Sequence, residues 1–255
     1  MAAAFLATLR GNYFITGAYS GCSEADYDLG MGLLHYAPDR TRIKICGLKR
    51  PEDVDFAVNS GVDALGFVFY PPSPRALSPQ HAAALISRLP AGVDAVGLVV
   101  NASDAEFSAI RAHTPITLWQ FHGDESPEEC QRLAAGDPWI KAGRVGEGFA
   151  FADFSLQYMQ AAGFLLDALV EGYGGGGVPF DWRWIPETWV SANAPRVVLS
   201  GGLNAHNVGE AIARLHPCAV DISSGVESAK GIKDAVLMAE FIEAVRIADS
   251  KTQLR

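Results

Sequence analysis

Two side chains capable of proton transfer stand at the ends of apolar stretches of this sequence. Cys46 closes the short run that starts at Ile43, and Asp167 follows the run 164–166. A thiol whose pKa is lowered by a nearby cation or a helix N-terminus can act as a base or a nucleophile. A carboxyl group whose pKa is raised by apolar surroundings can donate a proton. The alternatives are a packing role for Cys46 and a loop-capping role for Asp167.

Two turns rich in glycine and serine follow consecutive apolar runs near the end of the chain. They are Ser200-Gly201-Gly202, after the run 197–199, and Ser223-Ser224-Gly225, after the run 218–222. Turns of this composition present free backbone N–H groups with little side chain in the way. In a (β/α)8 barrel, the loops after the last two strands commonly form a phosphate site, assisted by a short extra helix. One such turn would indicate only a change of chain direction, but two in succession predict a phosphate site.

Further polar residues lie where other strands are expected to end. Arg75 follows three prolines in Pro71-Pro72-Ser73-Pro74, and this stiff loop would hold a guanidinium in place for a carboxylate. Gln120 and His122 flank the end of another apolar run, where a polar lining of the barrel mouth is the plainer interpretation. The glycine run 174–177 is expected to form a lid or a further set of phosphate-facing amides.

From Arg42 onward, eight apolar runs alternate with helical patterns. The predicted strands cover 43–46, 64–70, 94–100, 117–121, 139–142, 164–166, 197–199 and 218–222. The predicted helices cover 51–60, 78–89, 103–112, a stretch beginning at 126, 151–160, 181–190, 205–215 and 233–248, with Ser78, Ser103 and Ser126 at helix starts. Eight such units predict a (β/α)8 TIM barrel. An open doubly wound sheet is the alternative, and its dinucleotide-binding form is disfavoured because no GxGxxG motif follows the first strand.

The bulk composition narrows the class of protein. The chain has 255 residues, of which 49% are apolar and 19% charged, as is typical of a globular α/β protein. A formal charge of −9 without any cluster of Lys or Arg disfavours nucleic acid and anionic membranes as partners. The apolar runs are shorter than the roughly eighteen residues of a membrane span. Four cysteines without paired spacing indicate neither a zinc site nor a disulfide framework, and they fit a reducing cytoplasm.

Residues 1–40 show neither the helical nor the strand period. We therefore expect an N-terminal extension at 1–40, followed by a single barrel domain at 41–255. Both disorder and packing against the barrel are compatible with the sequence of this extension, which mixes glycines, aromatic residues and acids.

Seven spaced motifs resemble those of the phosphoribosylanthranilate isomerase family of tryptophan biosynthesis. They occur in the family's order between Arg42 and about Ala248. The motifs are Lys44-Ile45-Cys46-Gly47, Gly66-Phe67-Val68-Phe69-Tyr70 with Ser73-Pro74-Arg75, Gln120-Phe121-His122-Gly123, Leu165-Leu166-Asp167, Phe180-Asp181-Trp182, Leu199-Ser200-Gly201-Gly202-Leu203 and Asp221-Ile222-Ser223-Ser224-Gly225-Val226-Glu227. Together they are highly specific for the family.

The resemblance implies a (β/α)8 barrel that isomerises N-(5'-phosphoribosyl)anthranilate to 1-(2-carboxyphenylamino)-1-deoxyribulose 5-phosphate. This Amadori rearrangement needs neither a metal nor an organic cofactor, and the implied ligand is a small phosphosugar. The sequence leaves monomer and homodimer equally open.

The resemblance also implies a role for each candidate residue. Cys46 would be the general base that takes the proton from the ribose C2', and Asp167 the general acid that protonates the ring oxygen. Arg75 would hold the anthranilate carboxylate. The remaining substrate contacts would come from Gly201, Gly202, Ser223, Ser224 and Gly225 at the phosphate, Asp221 at the sugar hydroxyls, and Gln120 and His122.

The sequence departs from the family pattern at two places. The run 174–177 lacks the Ser or Thr, and the following Lys, that the family usually carries, and the extension 1–40 has no family counterpart. Two other functions stay open: a different phosphosugar isomerase or epimerase, and a phosphate-binding barrel that has lost catalysis. Arg75 and Cys46 disfavour the first, because those substrates carry no anthranilate carboxylate. Retention of both Cys46 and Asp167 disfavours the second.

Overall fold

The computed structural model describes residues 32–169 and 181–252. Its central element is a closed barrel in which each of eight parallel strands pairs with the next and β8 pairs with β1. The strands are β1 (Arg42–Cys46), β2 (Ala64–Val68), β3 (Asp94–Val99), β4 (Leu118–Phe121), β5 (Trp139–Val145), β6 (Gly163–Ala168), β7 (Val197–Leu199) and β8 (Ala219–Ile222). The predicted TIM barrel is confirmed, and the open sheet is excluded by the β8–β1 pairing.

Helices follow the strands and cover the outside of the barrel. They are α1 (Pro51–Asn59), α2 (Pro79–Ile86), α3 (Asp104–His113), α4 (Pro127–Ala134), α5 (Phe151–Gln157), α6 (Glu187–Asn193), α7 (Val208–Leu215) and α8 (Ala235–Thr252). The three predicted N-caps are confirmed, since the side chains of Ser78, Ser103 and Ser126 each accept a backbone N–H of the first helical turn. Ser103 and Ser126 form full capping boxes with glutamates three residues on.

Several element boundaries differ from the prediction. The strand β6 reaches Ala168, so Asp167 lies within the strand and not after it. The helix α7 starts at Val208 instead of 205, because the preceding backbone N–H groups bond to the side chains of Asn204 and Asn207. The predicted helix 181–190 is a 3-10 turn, Trp182–Trp184, followed by the separate helix α6.

A small hairpin between β8 and α8 was not predicted. Its strands are β9 (Glu227–Ala229) and β10 (Ile232–Lys233), which pair antiparallel. The final helix therefore begins at Ala235, two residues later than the sequence pattern suggested. The hairpin places the side chain of Lys233 in the interior, where it is fully buried.

Side chains along each barrel strand alternate between the interior and the surrounding helices. In β1, Ile43 and Ile45 join the core between the barrel and its helices. Arg42, Lys44 and Cys46 consequently face inward. The same alternation in the other strands decides which of the predicted site residues can reach the barrel interior.

Leu33 closes the amino end of the barrel. Leu33 is fully buried, and it belongs to the apolar cluster of the barrel interior together with Ala64, Val96, Leu118, Ile140, Ala142, Leu165, Val198 and Ala219. The Leu33 N–H donates to the Asp94 carboxylate at 2.8 Å. Residues 32–40 of the predicted extension thus pack against the barrel, whereas 1–31 and the glycine run 174–177 lie outside the described residues.

Neither a membrane span nor a metal-ligand group emerges from the described part of the chain. Within 32–169 and 181–252, none of the helices combines the length and apolar character that crossing a bilayer requires. The same residues contain no group of three or more His, Cys, Asp or Glu side chains arranged to hold a metal ion.

Replacing Leu33 with alanine should lower the free energy of unfolding by about 2–5 kcal/mol, because the change leaves a cavity among packed side chains. Equilibrium denaturation measures this loss. The matched control is Leu156→Ala, which removes a leucine that is 70% exposed and should cost less than about 0.5 kcal/mol. Equal small effects of the two substitutions would show that Leu33 does not contribute to the core.

Candidate active site

The inward-facing residues at the carboxyl ends of the strands form the mouth of the barrel. They come from six loops or strand ends that are distant in the sequence, and most of the predicted site residues are among them. The buried members are Cys46, Arg75, Gln120, His122, Asp167, Ser200 and Asp221. Such a mouth is where (β/α)8 enzymes carry out their chemistry.

Cys46 is the last residue of β1 and lies beside Gly66 of β2 in the strand register. A Cβ atom at Gly66 would lie 2.6 Å from the Cys46 sulfur, so glycine at this position makes room for the thiol. Burial raises the pKa of Cys46, and the Asp221 carboxylate acts in the same direction. The ammonium groups of Lys44 and Lys233 lower the pKa but do not outweigh burial.

Lys44 and Asp221 form an ion pair inside the barrel, one layer below the thiol. They are partners in the register between β1 and β8, and Lys44 Nζ lies 2.9 Å from Asp221 Oδ1. Burial would lower the pKa of Lys44, but Asp221 and Cys46 raise it above its ordinary value. The resemblance assigns Asp221 to the sugar hydroxyls, and in this structure its carboxylate is paired with the Lys44 ammonium group.

Asp167, His122 and Gln120 meet on the other side of the mouth. Gln120 Nε2 lies 2.8 Å from His122 Nδ1. The amide and the imidazole are therefore within hydrogen-bonding distance, and the amide orientation decides which tautomer of His122 this contact favours. His122 Nε2 lies 3.2 Å from Asp167 Oδ2, close in distance but without the alignment of a hydrogen bond. Asp167 Oδ1 accepts the N–H of Ala168 at 2.8 Å.

Arg75 is held by a carboxylate that the sequence reasoning had not assigned to it. Its Nε and Nη2 donate to the two carboxylate oxygens of Glu227 at 2.7 and 2.8 Å. Burial would lower the pKa of Arg75, but Glu227 raises it, so the guanidinium stays charged. The side-on pairing uses Nε and Nη2 and leaves Nη1 without a protein acceptor among the described residues.

The two predicted phosphate turns lie next to each other after β7 and β8. Gly201 and Gly202 have φ of 81° and 67°, in the left-handed region that favours glycine. Gly225 lies in a 3-10 turn, Ser224–Val226, and a Cβ on it would come within 2.2 Å of the Leu203 carbonyl oxygen. The second turn can therefore pack on the first only with glycine at this position.

The second phosphate turn is bonded to the strand that carries the thiol. Ser223 Oγ donates to the Cys46 carbonyl oxygen at 3.0 Å. Lys233 Nζ donates to the Ser223 carbonyl oxygen at 2.9 Å and to Glu227 Oε1 at 2.7 Å. The backbone of this turn is thus fixed from two sides.

Lys44 and Lys233 were missed as site residues in the sequence reasoning. For Lys44 a signal existed, because in Arg42-Ile43-Lys44-Ile45-Cys46 the polar residues alternate with isoleucines and share the inward face with the thiol. For Lys233 none existed, since its position before an apolar helical pattern resembles an ordinary helix start.

A closed parallel barrel with two adjacent glycine and serine turns after β7 and β8, and with a buried thiol and carboxyl group at its mouth, has the layout of a (β/α)8 enzyme. A family model described as N-(5'phosphoribosyl)anthranilate (PRA) isomerase matches residues 43–244. The chain belongs to this family, and it is an isomerase.

Individual relatives agree with this assignment. The N-(5'-phosphoribosyl)anthranilate isomerase of Methylibium petroleiphilum is 55% identical over 212 residues, which cover 83% of this chain and 97% of the relative. A solved structure of monomers of the dimeric enzyme from Thermotoga maritima is 36% identical with a TM-score of 0.70, covering 81% of this chain and 98% of that one.

A third relative was solved with a ligand at its site. It is a phosphoribosyl anthranilate isomerase in complex with reduced 1-(o-carboxyphenylamino)-1-deoxyribulose 5-phosphate. It is 36% identical, has a TM-score of 0.69 and covers 81% of this chain and 98% of its own. The residues that the family model matches, 43–244, correspond to the barrel and begin after the predicted extension.

Replacing Gly225 with alanine should raise the inhibition constant of inorganic phosphate by about ten-fold or more, because the new Cβ pushes the second turn off Leu203. Competition kinetics with inorganic phosphate measures the change. Gly209→Ala is the control, since a Cβ there meets nothing closer than 3.9 Å and alanine favours the helix α7. Unchanged phosphate inhibition in a folded Gly225→Ala protein would place the phosphate elsewhere.

Proposed function

We propose that the chain carries out the reaction of its family, the Amadori rearrangement of N-(5'-phosphoribosyl)anthranilate in tryptophan biosynthesis, with Cys46 as the general base and Asp167 as the general acid. The observation that carries this proposal is the position of both groups. Each is an inward-facing, nearly buried side chain at the carboxyl end of its strand, and β1 and β6 are separated by two intervening strands around the barrel.

The chemistry requires one proton to arrive and one to leave. Protonation of the ring oxygen by the Asp167 carboxyl group allows the C1'–O bond to break, which leaves a Schiff base at C1' and the electron pair on the oxygen. Removal of the C2' proton by the Cys46 thiolate then gives the enolamine, which becomes the ketone product. Asp167 loses one proton and Cys46 gains one, so two groups on different sides of the sugar suffice.

Different neighbouring side chains favour the charged forms of Asp167 and Cys46. His122 Nε2 lies 3.2 Å from Asp167 Oδ2, so a small shift of the ring would let it donate a hydrogen bond to the carboxylate once the proton has left. Lys44 and Lys233 supply the positive charge that favours the Cys46 thiolate against the effect of burial.

The two anionic groups of the substrate would bind at two separate places in the mouth, the phosphate anchor and the carboxylate anchor. The phosphate would bind the backbone N–H groups of the turns Ser200-Gly201-Gly202 and Ser223-Ser224-Gly225. The anthranilate carboxylate would bind Arg75 through Nη1, which the pairing with Glu227 leaves available. Anchoring both ends holds the sugar between the acid and the base.

A cytoplasmic location and a monomeric or homodimeric state complete the proposal. The cysteines Cys46, Cys130 and Cys218 are all free thiols, as a reducing compartment would keep them. A dimer is described for the enzyme of Thermotoga maritima. Size-exclusion chromatography with light scattering distinguishes monomer from dimer for this chain.

Cys46→Ser and Asp167→Asn should each lower kcat by at least ~100-fold while KM changes little, because the anchors for both anions are untouched. Steady-state kinetics measures this, and Cys46→Asp should recover part of the activity, since a carboxylate can act as a base. The matched control is Cys130→Ser in α4, whose thiol has its pKa raised to about 12 by burial and lies outside the mouth. Near-normal turnover of Cys46→Ser would refute the assigned base.

Lys44→Met should move the rising limb of the pH profile of kcat/KM to higher pH. The base must be ionised, and burial already places the pKa of Cys46 above its ordinary value. Loss of the Lys44 cation raises this pKa further, so the thiolate forms only in more alkaline solution.

The control for Lys44→Met is Arg42→Met, which breaks the ion pair with Asp63 at the opposite end of the barrel. This change should lower the free energy of unfolding and leave the rising limb of the pH profile at the same pH. A limb that does not move in Lys44→Met would show that Cys46 is not the group titrating in it.

A further inference from the structure

Glu227 lies between the residues assigned to the two anionic ends of the substrate. Its carboxylate accepts four hydrogen bonds, two from Arg75, one from Lys233 Nζ and one from the N–H of Gly231. Its side chain is 4% exposed, and that of Arg75 is 9% exposed. Burial alone would raise the pKa of Glu227, but Arg75 and Lys233 hold it below its ordinary value, so it is ionised.

The contact with Arg75 fixes the guanidinium in position and orientation. A bidentate pairing defines the plane of the guanidinium as well as its location. The stem of Arg75 is confined as well, because a Cβ on Gly47 would lie 2.4 Å from its Cδ. Gly47 directly follows Cys46, so the free Nη1 is held at a set place relative to the thiol.

The contact with Lys233 reaches the phosphate turn. Lys233 Nζ donates to Glu227 Oε1 and to the carbonyl oxygen of Ser223. Burial lowers the pKa of Lys233, and the Glu227 carboxylate opposes this effect by favouring the ammonium form. The Lys233 side chain has 0% exposure, so it cannot bind phosphate directly without rearrangement. Its effect on phosphate would therefore pass through the backbone of Ser223 and Ser224.

The charge balance of this cluster favours anion binding. Two cations, Arg75 and Lys233, share the single carboxylate of Glu227, so the three side chains carry a net charge of +1 by this count. Glu227 thus orders both cations without cancelling the charge of both.

We propose that Glu227 is a positioning residue for both anion anchors at once. It holds Arg75 in place to bind the substrate carboxylate, and it holds Lys233, which in turn fixes the backbone of the phosphate turn. This inference rests on the proposed role of Arg75. Glu227 does not touch the substrate; it sets the distance between the two anchors, and with it the length of the molecule that the mouth accepts.

The test compares three single variants with two probes, anthranilate for the carboxylate anchor and inorganic phosphate for the phosphate anchor. Competition kinetics gives an inhibition constant for each probe. Arg75→Ala should raise that of anthranilate by tens-fold and leave that of phosphate within about two-fold. Lys233→Met should do the reverse, with phosphate weakened by about five-fold or more.

Glu227→Gln should weaken both probes by about five-fold or more, because the side chain loses the negative charge that holds both cations. Its amide nitrogen also only donates, so it cannot replace the oxygen that accepts from Arg75 Nη2 and from the N–H of Gly231. KM for the substrate should rise, while kcat falls by far less than in Cys46→Ser. The matched control is Asp63→Asn, which removes another buried carboxylate shared by two cations, Arg40 and Arg42, at the far end of the barrel. It should lower stability and change neither inhibition constant.

The outcomes separate this inference from the proposed function. If Arg75→Ala leaves anthranilate inhibition unchanged, the assignment of Arg75 is wrong. If Arg75→Ala weakens anthranilate but Glu227→Gln weakens neither probe, Arg75 binds the carboxylate without help and the inference on Glu227 is wrong. If Glu227→Gln weakens inhibition by anthranilate but not by phosphate, Glu227 does not act on the phosphate turn, and that half of the proposal is wrong.

Glu227→Gln leaves two buried cations short of a counter-charge, so its folding is checked by thermal melting. If it does not fold, Glu227→Asp replaces it in the same comparison. The shorter carboxylate keeps the charge but cannot reach both cations in the native geometry, so at least one probe should bind more weakly. Native inhibition by both probes in a folded Glu227→Asp protein would overturn the proposal.

Discussion

Closure of the sheet is the constraint on which the rest of this structure depends. Once β8 pairs with β1, every inward-facing side chain must share one narrow interior with seven other strands. A charge placed there must find a partner in the same layer, and the register supplies one by setting Lys44 opposite Asp221. The thiol lies one layer higher, so its electrostatic surroundings follow directly from how the barrel closes.

The elements of the barrel could be predicted from the sequence because their signals are local. A serine before a helix and an unbroken apolar run each indicate an element without reference to the rest of the chain. Cys46 and Asp167 were found by the same local reasoning, from a polar side chain at the end of an apolar run. Their roles remain predictions.

The partners of these side chains could not be predicted, because they depend on contacts between distant parts of the chain. Arg75 and Glu227 are 152 residues apart, and nothing near either indicates the other. Lys233 is buried only because the hairpin β9–β10 turns it inward. Leu33 lies in the short apolar pair Leu33-Leu34 before the first strand, and this pair has no period that would mark it as part of the core.

The position of Leu33 has a consequence for how the chain can be joined to other proteins. Its contacts with Asp94 and Cys218 tie the start of the described chain to the end of the barrel opposite the mouth. A partner domain attached directly ahead of Gly32 would therefore emerge on the far side from the catalytic loops. Such a fusion leaves substrate entry unobstructed, so a junction at Gly32 would separate an added domain from the catalytic loops by the full depth of the barrel.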